Sequence, residues 1–177
     1  MATNNQLNLP LAGNTGTGNF VGAVSAALTG TPTLNGYALG PITAWVAYTP
    51  TFTGFGTVSG VEFWSRRVGD VLQVRGRFTS GTSTAVEARI TLGFNGTNSN
   101  VSSSSTVITS IECVGSGAYS AANAQANTVL IETNVGYMTL GLQSAGRAGL
   151  AKVTGSTIMA SGDTLAIYAD IPVTTWP

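Results

Sequence analysis

The chain has no histidine, and only 8% of its residues are charged, seven basic against seven acidic. An ordinary soluble domain carries about 25% charged residues. Without histidine there is no imidazole base, no imidazole metal ligand and no Ser-His-Asp or Cys-His arrangement. Balanced charge provides neither a polybasic surface for phosphate backbones nor an acidic solvating tail, so no nucleic-acid partner is expected. Cysteine occurs once, at Cys113, which excludes an intrachain disulfide and a cysteine-built zinc site. No cationic side chain lies near it in Thr109-Ser110-Ile111-Glu112-Cys113-Val114, so it reads as a small buried apolar residue rather than a reactive thiol. Met1-Ala2-Thr3-Asn4 lacks a basic leader, and no apolar run approaches the ~18 residues of a membrane span. Synthesis in a reducing cytosol and no membrane insertion are therefore expected.

Enough apolar material is present for a core, 43% of 177 residues, and the length suits one domain. Ser, Thr, Asn and Gly must cover the surface. Mixed charge with a net value away from zero normally keeps a small domain apart from its copies. Zero net charge does nothing of the kind, and the composition leans toward a symmetric assembly or an extracellular particle.

The texture changes near residue 44. Residues 1–44 are rich in Asn, Thr, Gly, Ala and Pro and hold no charged residue. Leu9, Leu11, Phe20 and Val21 are scattered through them without a helical or strand period. Such a segment cannot build a core alone, yet it is too apolar for a disordered linker. It reads as an extended attachment arm, with these four residues as its docking contacts and a short helix possible over Val21 to Leu28.

From Trp45 onward short runs of Val, Ile, Thr, Tyr and Phe alternate with Gly, Ser and Asn clusters. Strands are expected near 45–53, 58–67, 71–79, 85–92, 106–114, 128–133, 136–143, 149–154, 157–160 and 164–171. Many short strands with frequent turn signals mean an all-β sandwich or barrel over 45–177. One hairpin turns at Gly69-Asp70, sends Val61 and Phe63 inward and leaves Trp64 outward. A second, folded about Thr82, pairs Leu72 with Leu92, Val74 with Ile90 and Phe78 with Val86, and sets Arg77 opposite Glu87. In the last strand Leu165, Ile167, Ala169 and Ile171 share one face, and Trp176 reads as a plug for the base of the fold.

An outward Trp64 has three readings: cover by the arm or a loop, a subunit interface, or a sugar-stacking ring. Residues 96–105 and 115–127 read as the longest polar loops, whose hydroxyls, amides and Tyr119 suit neutral sugars. Trp64 and Tyr119 are the candidate interface or glycan contacts. For sugar hydrolysis two carboxylates about 5–10 Å apart are needed. Of the acids, Asp70 and Asp163 read as turn residues, Glu87 has an arginine partner in this register and Glu62 has Arg66 and Arg67 nearby, and Glu112 with Glu132 is left open as such a pair. Gly16-Thr17-Gly18-Asn19-Phe20-Val21-Gly22 is one residue off a dinucleotide fingerprint and follows no strand. No metal or cofactor motif is read.

The stretch Trp45-Val46-Ala47-Tyr48-Thr49-Pro50-Thr51-Phe52-Thr53-Gly54-Phe55-Gly56, followed by Phe63-Trp64-Ser65-Arg66-Arg67-Val68-Gly69-Asp70 and Leu72 to Gly81, resembles a domain found at the C-terminal end of tail fibre and tail proteins of tailed bacteriophages. The resemblance continues through Ala85 to Leu92 and weakly into Gly149 to Thr154. It implies an antiparallel jelly-roll sandwich, similar in shape to complement and tumour-necrosis-factor heads, assembled as a homotrimer at the distal end of a fibre. Such fibres carry a long shaft, and here about 44 residues stand before the sandwich. The expectation is a short structural virion protein, docked by its arm to another virion protein and meeting host-surface polysaccharide with its head. A stand-alone carbohydrate-binding module, a head-decoration protein and a depolymerising tailspike are the alternatives.

Overall fold

A computed structural model describes residues 33–34, 37–38, 40–120, 125–143 and 150–177. The chain divides into two compact units, Met1–Leu39 and Gly40–Pro177. Leu9, Leu11, Phe20, Val21 and the helix expected over 21–28 lie outside the described residues. In the first unit, β1 (Thr33–Leu34) pairs antiparallel with β2 (Tyr37–Ala38).

The second unit is all-β. Its strands are β3 (Val46–Tyr48), β4 (Phe52–Thr53), β5 (Ser59–Val68), β6 (Val71–Thr79), β7 (Arg89–Thr91), β8 (Gly93–Phe94), β9 (Thr97–Asn98), β10 (Glu112–Ser120), β11 (Gln125–Ile131), β12 (Tyr137–Gln143), β13 (Leu150–Lys152) and β14 (Thr164–Pro172). One antiparallel sheet runs in the order β3-β5-β6-β14-β10-β11-β12-β7-β4, with β13 also on β12. It curls into a half-barrel. Side chains from distant places in that order meet inside the curl. Phe52 of β4 packs on Phe63 of β5 and Phe78 of β6, with ring centroids 5.8 and 4.5 Å apart. The Tyr48 hydroxyl of β3 donates to the Thr91 carbonyl of β7 at 3.4 Å. Period-two burial in β14, where Leu165, Ile167, Ala169 and Ile171 are all inside, lines the curl's middle as the alternation predicts.

The β5–β6 hairpin has the expected turn. Val68 faces Val71 across Gly69-Asp70, and Gly69 takes a left-handed φ of 61°, which glycine adopts without strain. Phe63 is buried, and Trp64 is turned to the outer face. Residues 40–44, textured like the arm, are joined to this hairpin: Gly69 N donates to Pro41 O, and Thr43 N to Arg67 O. Trp176 packs on Phe94 at 4.9 Å and under the Arg67 guanidinium at 4.4 Å, closing the core as a plug should.

The second hairpin is corrected. β6 pairs with β5 and β14, not with 85–92. Leu72 faces Ile171, Val74 faces Ala169 and Phe78 faces Leu165, while Arg77 finds Glu62. Alternation assigns a residue to a face but not to a partner, and β14 offers nine matched positions from far along the chain. Of the apolar set, Ala88, Ile90 and Leu92 are buried but Val86 is exposed.

Four further expectations fail. Residues 105–107 form a turn and 108–111 are irregular, because the Ser104 carbonyl accepts from Ile108 N and its hydroxyl from Thr106 N and Val107 N. Residues 155–158 make one helical turn, α1 (Gly155–Ile158), where a strand is expected at 157–160. Residues 115–127 are not a loop: β10 runs to Ser120 and β11 starts at Gln125, with Tyr119 opposite Gln125. Glycine and alanine there lower strand propensity, but ladders to both β11 and β14 hold β10 in place. Cys113 is exposed rather than buried. A bulge between Cys113 and Gly115 shifts the alternation and places Cys113 on the same exposed side as Ser116 and Ala118.

Candidate functional site

The outer face of the sheet carries the candidate site. Strand register sets its layout row by row. Ala47, Trp64, Arg75, Tyr168, Ser116 and Thr128 stand opposite one another across β3, β5, β6, β14, β10 and β11. The next row reads Glu62, Arg77, Ala166, Ala118 and Ala126. Long polar and aromatic side chains therefore crowd one half of the face, and small ones cover the other.

Trp64 is 38% exposed. Two shallow hollows share it as a wall. One, of about 280 Å³, is bounded by Trp45, Trp64 and Arg75. The other, of about 290 Å³, includes Thr49, Glu62, Trp64 and Gly96. The Trp45 ring carries two guanidinium groups, Arg66 at 4.7 Å and Arg75 at 5.4 Å from its centroid. Arg75 also lies 5.4 Å from the Tyr168 ring. Stacked between two rings, its planar fork is oriented while its N–H groups make no bond to a described residue.

A hydrogen-bond chain fixes the floor beside it. Arg66 Nε donates to Gln73 Oε1 at 2.7 Å, Gln73 Nε2 to the Tyr168 hydroxyl at 3.3 Å, and that hydroxyl to Asp170 Oδ2 at 2.5 Å. The Asp170 carboxylate, by accepting this proton, raises the Tyr168 phenol above its ordinary value, and partial burial adds to the effect. Glu62 is gripped by Arg77 through two hydrogen bonds of 2.8 and 2.9 Å, which lowers its carboxyl below the ordinary value. Glu62 thus has an ion-pair partner and Asp170 has a donor on Oδ2 alone, whereas Arg66 and Arg75 form no ion pair with a described residue.

Of the site residues expected from the sequence, Trp64 lies on this face, exposed and lining both hollows. Tyr119 sits in β10 opposite Leu165, on a strand rather than a loop, and its side chain lies outside the described residues. The sequence reading does not single out Trp45 and Arg75, which share a hollow with Trp64, or Tyr168, which lies beside Arg75. Counting back from the Gly69-Asp70 turn sets Trp64 opposite Arg75, so part of the signal was in the hairpin register.

A second cluster lies on β7, β12 and β13. The Glu87 carboxylate accepts from Arg89 at 3.0 Å and Lys152 at 3.4 Å, and Lys152 reaches Glu132 at 3.1 Å. Arg89 stacks on Tyr137 at 4.3 Å, and the Tyr137 hydroxyl donates to Glu132 at 3.4 Å. The Arg89 hydrogen bond chiefly lowers the Glu87 carboxyl, against some burial. Glu132, half of the acid pair left open by the sequence, is occupied by Lys152 and Tyr137. The 96–105 segment does line a polar hollow of about 420 Å³, with Ser99, Ser102, Asn134 and Thr175 among its walls.

No group of three or more His, Cys, Asp or Glu placed to hold a metal ion occurs among the described residues. No helix among them is long and apolar enough to cross a membrane. No protein-family model matches the chain, and neither a curated protein nor a solved structure does.

Proposed function

We propose that this is a structural virion protein of a tailed bacteriophage: a short homotrimeric tail fibre whose residues 1–44 dock to another virion protein and whose β-head contacts host-surface polysaccharide. The trimer and a jelly-roll relationship to fibre heads are parts of this proposal. The observation that carries it is the split outer face of the sheet. Its β14–β10–β11 part presents Ala166, Ala118 and Ala126 in one cross-strand row, with Ser116 and Thr128 beside them. Small uncharged side chains let another copy approach the backbone closely along this row, without charges to desolvate there. The β5–β6 part presents Trp64 and Arg75, residue types that interface centres and ligand contacts favour. A charge-poor chain with no charged residue before Glu62 fits a subunit that lives in a particle.

The fibre reading is tested on phage particles that carry this protein, labelled with antibody and gold. Label at the tail supports it, and particles free of label contradict it. The stand-alone carbohydrate-binding module is the second reading, favoured by the two hollows flanking Trp64. A monomer that binds sugar with the arm deleted would select it.

A further inference from the structure

We infer that the Trp64 face binds an acidic saccharide, with a pyranose ring on the indole and a uronate carboxylate on Arg75. The inference rests on the head-to-glycan reading above and specifies its ligand class. Trp64 stacks on no described aromatic ring or cation, so its exposed surface is open to the C–H side of a sugar. The hollow on one side of it ends at Arg75, whose guanidinium is positioned by Trp45 and Tyr168 at 5.4 Å each and is satisfied by no described acceptor. A carboxylate meets such a fork with two parallel hydrogen bonds. Arg66 stands over the same Trp45 ring and adds a second positive charge without an acid partner.

Competing acids are held elsewhere. Asp170 accepts from Tyr168, and Glu62 is chelated by Arg77. The charge left over at the hollow is positive in a chain whose net charge is zero. The hollow on the other side of Trp64 holds Glu62 and Thr49, acceptors and hydroxyls that suit an uncharged sugar unit. The face therefore fits a polymer in which acidic and neutral units follow one another across the indole. The 420 Å³ hollow at Ser99 and Asn134 offers no aromatic platform and no arginine, which makes it the weaker saccharide candidate.

The test is calorimetric titration of the full-length protein with a hyaluronan hexasaccharide, which alternates glucuronate with N-acetylglucosamine, and with the same oligosaccharide after carboxyl reduction. An oligogalacturonate serves as a second acidic probe. At least one acidic probe should bind, with the carboxyl-reduced form about tenfold weaker, the loss expected for one charge-assisted contact. Trp64→Ala should abolish binding, and Arg75→Gln should level the preference between acidic and reduced forms. Both side chains sit on the outer face, and an unchanged melting curve verifies the fold. Failure of both acidic probes, equal binding of the reduced form, or binding that survives Trp64→Ala overturns the inference. Titration reads saccharide binding in a trimer or a monomer alike, so its failure is distinct from failure of the fibre reading, which the particle labelling reports. If no probe binds and Trp64→Ala lowers the native mass, the face belongs to a second copy.

Discussion

The two halves of the sheet are built from different materials. Against the inner side of the first half, Phe52 of β4 and Phe55 just after it interlock with Phe63 and Phe78, with centroid separations of 4.5 to 6.4 Å. Its outer side carries Trp64, Arg66, Arg75 and the Glu62–Arg77 pair. The other half packs Val129, Ile131, Met138 and Leu140 inside and shows Ser116, Ala118, Ala126 and Thr128 outside. Gly76 leaves room for the Phe63 ring lying on it, and Gly117 likewise packs closely on Ile167 and the Ala166 carbonyl of β14. One half covers its own backbone with large side chains. The other leaves the backbone close to the surface, under small side chains.

The sharpest way to break this comparison is in the aromatic core. Phe78→Ala should cost about 3–5 kcal/mol in chemical denaturation, and more than Leu140→Ala, because edge-on ring contacts add to burial. The reverse order would show that the aromatic half is not the better-packed one. Gly76→Ala should cost about 1–3 kcal/mol, since a methyl there runs into the Phe63 ring.

Acid titration sharpens the polar side of the comparison. The Glu87 carboxyl is lowered from its ordinary 4.5, so its stabilising effect is complete above that pH and is lost as pH falls through the lower folded value. Glu87→Gln should remove roughly 1 kcal/mol or less at neutral pH, given its partial exposure, and should flatten the loss of stability below pH 4.5. An acid limb unchanged by the substitution would contradict the pairing. Smallest of all should be the effect of Ala118→Arg on the stability of a single chain, within about 0.5 kcal/mol for an exposed position.

Much of the core was legible in the chain. Leu72, Val74, Phe78, Leu165 and Ile171 follow a period of two, and the Gly69-Asp70 turn fixes the register that brings Trp64 to Arg75. Strand partnership was less legible, because β14 enters between β6 and β10 from the far end of the sequence. Local alternation carries no information about which distant strand completes a ladder. The small-residue half misled for another reason: Gly115 to Ala126 has the composition of a loop and becomes a hairpin only because strands lie on both sides of β10. Trp45 falls in the strand expected over 45–53 and shares its parity with Ala47, but that parity names no partner strand and so does not place it beneath two arginines.

Native mass by light scattering, on the full-length protein and on Ala118→Arg, tests the central claim most directly. A mass of three 18.0 kDa chains for the parent and of a folded single chain for the variant is predicted. A monomeric parent, or a trimer indifferent to arginine on the alanine row, would contradict the assignment of that face to assembly.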